Sequence, residues 1–139
     1  MKNAMRLYLL PVLLAVLLAG CERNTCTIES TPLVRLFTKG AIAYPLDRTF
    51  EPREVTIEPD GDGPFEAYVV IGPADDLVAQ LNKGRPLAPQ SYSARLSPGG
   101  QSKATVQVDK GKFLNVVVYN PQARHIDVRL KITTKTSFQ

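Results

Sequence analysis

Cys21 and Cys26 are the two cysteines among 139 residues, and their surroundings point to different chemistry. Cys21 directly follows an apolar run that closes with small residues, and charge begins immediately after it. The thiolate is the reactive form of cysteine and is readily alkylated. This context predicts that Cys21 is a site of covalent modification and that the segment before it is not part of the fold.

The segment before Cys21 has the features of a secretory signal. Lys2 and Arg6 supply a positive start, and the apolar run over residues 7–18 is shorter than the roughly 20 residues that a membrane-spanning helix needs. The last four residues, LAGC at 18–21, resemble the lipobox of bacterial lipoproteins. This resemblance implies that residues 1–20 are removed, that the Cys21 sulfur receives diacylglycerol, and that the new amino terminus is acylated, for example by palmitate. An ordinary signal peptide followed by a chance cysteine is the alternative.

The same resemblance predicts where the protein is located but does not determine the chemical state of Cys26. Lipoproteins retained in the inner membrane often have aspartate after the modified cysteine, whereas this chain has Glu22, so we expect the outer membrane, facing the periplasm. A lipidated Cys21 forms a thioether and no disulfide. Cys26 is then a free thiol or forms a disulfide with a second copy of the chain.

Other residues with chemical potential are few. His125 is the single histidine and falls among the polar positions of a strand, so we interpret it as an exposed turn residue. The acids Glu58, Asp60 and Asp62 alternate as in a calcium loop, but Val69 occupies the position of the bidentate glutamate, which leaves a weak surface site or an acidic turn. We expect no catalytic residues, no metal and no cofactor.

Two aromatic residues are the weak candidates for a binding surface. Tyr68 and Tyr92 lie on predicted strands, where packing in the core is one interpretation. If both faced outward together, they would form a stacking platform for sugars or peptides. Once residues 1–20 are removed, 15 basic and 13 acidic residues leave a net charge of +2, which gives no basis for nucleic-acid binding.

The elements that must position these residues are mostly short strands separated by turns. Residues 21–32 are polar and are predicted to be a lipidated tether, followed by one domain over residues 33–139. Residues 126–132 alternate between apolar and polar, and residues 113–119 are apolar on both faces, which predicts a half-buried strand and a central one that together form a hairpin. One short helix is predicted near residues 73–83, where Pro73 precedes two acids.

This pattern predicts an all-β fold, an antiparallel β-sandwich of about seven or eight strands. The segment VQVDKGKFLNVVVYNPQARHIDVRLKI resembles the closing half of jelly-roll domains of the pre-peptidase C-terminal and GOLD types, over residues 65–133. The resemblance implies a non-catalytic domain that assists binding, secretion or assembly. We therefore expect an envelope lipoprotein whose sandwich binds a protein partner. The alternatives are a carrier of a small apolar ligand inside the sandwich, and an enzyme with a polar cleft.

Overall fold

A computed structural model describes residues 21–22, 25–46 and 51–137 of the chain. The predicted signal peptide, residues 1–20, lies outside this part. The described chain forms one α-helix, α1 (Asp75–Asn82), a short 3₁₀ turn (Pro89–Ser91) and ten strands. The strands are β1 (Cys21–Glu22), β2 (Thr25–Ser30), β3 (Leu33–Leu36), β4 (Ala41–Pro45), β5 (Arg53–Gly61), β6 (Glu66–Ile71), β7 (Ala94–Leu96), β8 (Ala104–Val108), β9 (Leu114–Tyr119) and β10 (Ile126–Ser137).

The strands form two antiparallel sheets. The first sheet has the order β1-β2-β10-β5-β8, with β3 also paired to β10, and the second has the order β4-β9-β6-β7. β2 and β3 pair with successive halves of β10 and act as one interrupted strand. If this pair is counted once and β1 is set aside, the eight strands have the order 1-8-3-6 in one sheet and 2-7-4-5 in the other. This is the strand order of a jelly roll, which confirms the predicted fold.

Alternating side chains fill the space between the sheets. In β10 the side chains of Ile126, Val128, Leu130 and Ile132 are at most 2% exposed, as their spacing of two residues predicts. β9 is buried on both faces, because Val116 and Val118 face the first sheet whereas Val117 packs in a second apolar cluster beneath α1. The second cluster gives this sheet a covered outer face.

The helix lies close to its predicted position. Gly72 has a φ of +113°, which turns the chain away from β6, and Asp75 and Asp76 occupy the first turn of α1, where the positive end of the helix dipole favours acids. Leu81 is buried against the second sheet. The Asn82 side chain accepts a 2.8 Å hydrogen bond from the backbone N–H of Ala41 in β4. The helix is therefore fixed over one part of the sheet.

Two sequence-based expectations differ from the structure. β9 and β10 do not form a hairpin, since they belong to different sheets. The predicted tether over residues 21–32 contains β1 and β2, and β2 pairs with Ile132–Ser137 of β10. The backbone supplies the hydrogen bonds of a sheet, and β2 lies beside the edge strand β1, so its polar sequence does not prevent pairing.

Candidate functional site

A surface cavity of about 260 Å³ lies on the outer face of the second sheet, beside α1. One wall is formed by side chains from three neighbouring strands: Glu66 and Tyr68 of β6, Arg95 of β7 and Tyr119 of β9. The register explains their proximity, because Tyr68 lies opposite Arg95 and Glu66 lies opposite Tyr119. Residues that are directly opposite in an antiparallel pair project on the same face.

The other wall comes from the end of α1 and the segment after it. Gly84 ends the helix with a φ of +72°, and the chain then returns along the sheet. Leu81, Arg85, Leu87 and Tyr92 contribute the lining side chains on this side. Leu81 is 3% exposed and Leu87 is 9% exposed, so the base of this wall is apolar and firmly packed. We call this site the tyrosine cavity, after Tyr68, Tyr92 and Tyr119.

The structure brings together the two tyrosines that the sequence singled out. The ring centroids of Tyr68 and Tyr92 are 5.0 Å apart and the ring planes are inclined at 58°. Tyr68 is only 4% exposed, whereas Tyr92 is half-buried. The two rings therefore form an inclined corner, with Tyr68 at its base. Tyr68 packs in an apolar cluster, as the first of the two interpretations predicted, and the alternative of an open stacking platform is not present on Tyr68.

A polar network fixes Tyr68 in this corner. The two carboxylate oxygens of Glu66 accept hydrogen bonds from Arg95 Nη2 and from the Tyr68 hydroxyl, the latter at 3.2 Å. The guanidinium carbon of Arg95 lies 6.0 Å from the centroid of the Tyr68 ring, within the range of a cation–π contact. These contacts fix the side chains of Glu66, Tyr68 and Arg95 relative to one another.

Burial and the neighbouring carboxylate determine the protonation of this network. Desolvation, followed by the charge of Glu66, raises the pKa of Tyr68 to about 12. The hydrogen bond and charge of Glu66 also raise the pKa of Arg95. At neutral pH the corner therefore presents a neutral phenol next to a paired carboxylate and guanidinium. This arrangement is suited to holding a ligand in place by shape and hydrogen bonding.

Arg85 is the charged residue of the cavity that the network does not include. Within the described residues its side chain has no hydrogen-bond or ion-pair partner, and it is exposed at the rim. Sequence reasoning missed Arg85, Glu66 and Arg95. The spacing of Glu66 and Tyr68 by two residues was a usable signal, since it places both side chains on one face of a strand.

The weak metal candidates do not form a ligand set. Glu58 lies opposite Lys131 and Asp60 lies opposite Arg129 on the outer face of the first sheet. The carboxylate of Asp62 accepts a 3.1 Å hydrogen bond from the backbone N–H of Asp127. In the described ranges, no three histidine, cysteine, aspartate or glutamate side chains are grouped to hold a metal ion. The acidic stretch is accounted for by strand pairing and turn formation.

The remaining candidates lie away from the cavity. His125 is exposed and packs edge-to-face on Phe37, with ring centroids 5.2 Å apart. Cys26 is held in a disulfide, and the other cysteine of the sequence, Cys21, lies opposite it in the backbone register. The sequence predicted a free thiol or a disulfide between two copies of the chain; the structure, which contains one chain, has neither of these states. No helix among the described residues is long and apolar enough to cross a membrane.

No protein-family model and no curated protein matches this chain. Solved structures that align with this chain include a protein of Bacillus endospore appendages, which form a novel family of disulfide-linked pili. It is 12% identical, the alignment covers 86% of this chain and 97% of that chain, and the TM-score is 0.46. Aeromonas hydrophila PliG, a periplasmic lysozyme inhibitor of g-type lysozyme, is 13% identical over 80% and 86% of the two chains, with a TM-score of 0.46. PirA is 15% identical over 77% and 92%, with a TM-score of 0.34. At these scores the likeness carries no inference about ligands or partners.

Proposed function

We propose that this protein is a lipid-anchored lipoprotein of the cell envelope, and that its jelly roll is a non-catalytic module that binds a protein partner. The tyrosine cavity carries this proposal. On the outer face of the second sheet it combines a well-packed apolar base, an aromatic corner and a fixed polar network. Aromatic residues set in packed pockets are the usual anchors of protein interfaces.

The proposed anchor is supported by the sequence around Cys21. A positive start, a short apolar run and the residues LAGC precede the polar part of the chain. Two or more acyl chains hold a protein firmly at a bilayer, whereas one chain holds it weakly. The proposed location is the outer membrane, facing the periplasm.

A chemical constraint links the proposed lipid to Cys26. The sulfur of Cys21 can carry a thioether or take part in a disulfide with Cys26, and these two states exclude each other. The proposal assigns the thioether to the mature protein. The two states differ in mass, so they are separable by experiment.

The position of the cavity favours access by a partner. Cys21 pairs with Cys26, which lies opposite Thr136 near the end of β10. Glu66 and Tyr119 of the cavity lie at the opposite end of the sandwich, where the connection from β9 leads into Ile126. Ten residues of β10 separate the two ends, or about 34 Å at 3.4 Å per residue. A protein anchored at Cys21 would therefore present the cavity away from the membrane.

The polar groups of the cavity support binding in preference to catalysis. Glu66 is engaged by both Arg95 and the Tyr68 hydroxyl, and the raised pKa of Tyr68 keeps its proton in place at neutral pH. The alternative of a ligand carried inside the sandwich has less support. Leu36, Ile57, Leu96 and Leu114 fill the space between the sheets at 0% exposure.

Mass spectrometry of the protein purified from its native membrane tests the anchor. We expect a chain that begins at Cys21 and carries the mass of diacylglycerol and a further acyl chain. The variant Cys21→Ser should lack both additions and should leave the membrane fraction. A purified protein that retains residues 1–20, or that carries a disulfide at Cys21, would overturn the anchor.

A photo-cross-linking amino acid at position 92 tests the binding site in intact cells. We expect one cross-linked partner from position 92, displaced by an excess of the unlabelled protein but not by its Tyr92→Ala variant. Position 105 is the matched control, because Thr105 is an exposed strand residue on the first sheet. Equal cross-linking from positions 92 and 105 would show that the cavity is not the contact site.

A further inference from the structure

We infer that the tyrosine cavity receives an apolar or aromatic side chain of an acidic peptide segment, whose neighbouring carboxylate is bound by Arg85. This inference rests on the proposed function and names the chemistry of the partner. It is carried by three properties of the site: its size and shape, the packing of its base, and the charge at its rim.

The size and shape of the cavity favour one inserted side chain. Its volume of about 260 Å³ is below the 300–1,000 Å³ typical of pockets that enclose a whole small molecule. Stacking of a sugar needs an open ring face, whereas Tyr68 is 4% exposed and Tyr92 is inclined to it by 58°. A corner of this kind holds the edge of an inserted group between two rings.

The base of the cavity is suited to an apolar group. Leu81 and Leu87 are nearly fully buried there, and both belong to the apolar cluster beneath α1. The Tyr68 hydroxyl is already bound to Glu66. An apolar side chain inserted beside Leu81 and Leu87 therefore does not deprive this hydroxyl of its partner.

The charge at the rim is positive. The charges of Glu66 and Arg95 compensate each other through their ion pair. Arg85 is left without a counter-charge among the described residues, and the acids of α1, Asp75 and Asp76, lie at the opposite end of the helix. A carboxylate close to the inserted side chain would therefore be attracted to Arg85. Arginine is enriched at interface contacts with carboxylates because it donates several hydrogen bonds in one plane.

Short tryptophan peptides provide a direct test, because this chain contains no tryptophan and the fluorescence reports only the probe. Three acetylated, amidated peptides are compared, in which the tryptophan is followed by glutamate, glutamine or lysine. The purified full-length mature protein is titrated in detergent. We expect the glutamate peptide to bind about fivefold more tightly than the glutamine peptide, as befits an exposed ion pair, and the lysine peptide to bind most weakly.

Two variants assign the effect to named residues. Arg85→Gln should abolish the preference for glutamate over glutamine, and Tyr92→Ala should weaken binding of both peptides. Lys110→Gln is the matched control, since it removes the same charge from an exposed loop outside the cavity and should change nothing.

The outcomes separate this inference from the proposed function. Equal affinity for the three peptides, or an unchanged preference in Arg85→Gln, would overturn the inference even if position 92 still cross-links to a partner. Tighter binding of an oligosaccharide of glucuronic acid, measured by competition with the glutamate peptide, would overturn it in favour of a sugar ligand. Loss of cross-linking at position 92 would overturn the proposed function itself.

Discussion

The side-chain oxygen of Asn82 accepts a 2.8 Å hydrogen bond from the backbone N–H of Ala41. The bond joins the last residue of α1 to the first residue of β4, an edge strand of the second sheet. It gives a partner to a backbone donor at the sheet edge and holds the helix that forms one wall of the tyrosine cavity. The position of this wall therefore depends on this hydrogen bond as well as on the packing of Leu81.

Replacing Asn82 with alanine should lower the free energy of unfolding by about 1–2 kcal/mol, because the Ala41 donor loses its partner. We expect faster amide hydrogen exchange over α1 as well, since the helix loses one attachment to the sheet. Urea denaturation and hydrogen exchange measure the two effects. Gln80→Ala, an exposed position on the same helix, should leave both unchanged. Equal behaviour of the two variants would contradict this account of α1.

Asn120 should be the most sensitive polar residue outside the cavity. It is 0% exposed, and its amide donates to the carbonyls of Phe37 and Arg124 at 3.1 and 2.7 Å. Its side-chain oxygen accepts from the backbone N–H of Gln122 at 2.9 Å. Asn120→Ala removes all three hydrogen bonds of a fully buried side chain and should cost about 3 kcal/mol in urea denaturation.

The variant Asn120→Asp tests the two hydrogen bonds that Asn120 donates separately from the one that it accepts. It retains the acceptor for Gln122 but places one carboxylate oxygen, in place of Nδ2, against two carbonyls, so we expect at least as large a loss as in Asn120→Ala. A midpoint and slope of denaturation close to those of the parent protein, in either variant, would show that these hydrogen bonds contribute little.

The raised pKa of Tyr68 makes the stability depend on pH in the alkaline range. An unfolded tyrosine has a pKa of about 10, whereas burial and Glu66 raise the folded value to about 12. Between these values the unfolded chain has released the Tyr68 proton while the folded chain retains it. The free energy of unfolding should therefore fall as the pH rises from 10 to 12, by about 2 kcal/mol in total, and the full contribution is present below pH 10.

Comparison with Tyr68→Phe isolates this effect from other titrating groups. Denaturation is measured for both proteins from pH 8 to 11.5, and the difference in unfolding free energy should shrink above pH 10. Absorbance at 295 nm should also show a late phenol titration that is missing from the variant. A difference that stays constant with pH would contradict the assignment.

Gly61 and Gly99 provide a matched pair of glycine substitutions in different surroundings. A Cβ atom at Gly61 would lie 2.8 Å from Cδ1 of Phe65, which is 3% exposed, whereas Gly99 has no atom within 4 Å of that position. Gly61→Ala should cost about 1–3 kcal/mol through overpacking, and Gly99→Ala should be neutral. Thermal denaturation of the two variants checks this. Equal melting temperatures would mean that the Phe65 ring moves aside without cost.

Regular patterns in the sequence predicted most of the sandwich. The alternation over residues 126–132 and the apolar run over residues 113–119 identified β10 and β9, since burial on one or both faces leaves a direct trace in residue type. Pro73 and the two acids after it located α1 within about two residues. Each of these signals lies within one short segment of the sequence, and such segments are sufficient to identify individual strands and the helix.

The pairing of elements was less predictable. The turn after Asn120 looks like a hairpin connection, but the hydrogen bond from Asn120 to Phe37 ties it to the loop before β4, and the chain crosses to the other sheet. β2 is polar and lacks a periodic apolar pattern, so it was interpreted as a tether, whereas its register is set by its pairing with β10. Nothing in residues 25–30 alone identifies that partner.

The candidate site was predictable in part. Tyr68 and Tyr92 were selected as aromatic residues on strands, but they are 24 positions apart and meet because α1 and the segment after it return across the sheet. Tyr92 itself lies after the 3₁₀ turn and before β7. Arg85 and Leu87 lie in an irregular segment without periodicity, so no pattern could have placed them in the cavity.

The incorporation of β2 into the first sheet determines how the domain would respond to tension. Thr25, the first residue of β2, is only four positions after Cys21, so a force on the proposed anchor at Cys21 would reach β2 through a short connection. If a partner is bound at the end of the sandwich opposite Cys21, the pulling force acts parallel to the strands. The six residue pairs between β2 and β10 are then strained in shear, together and not one after another. The strand that was predicted to be a flexible tether would then be a stiff mechanical connection between the proposed anchor and the proposed partner.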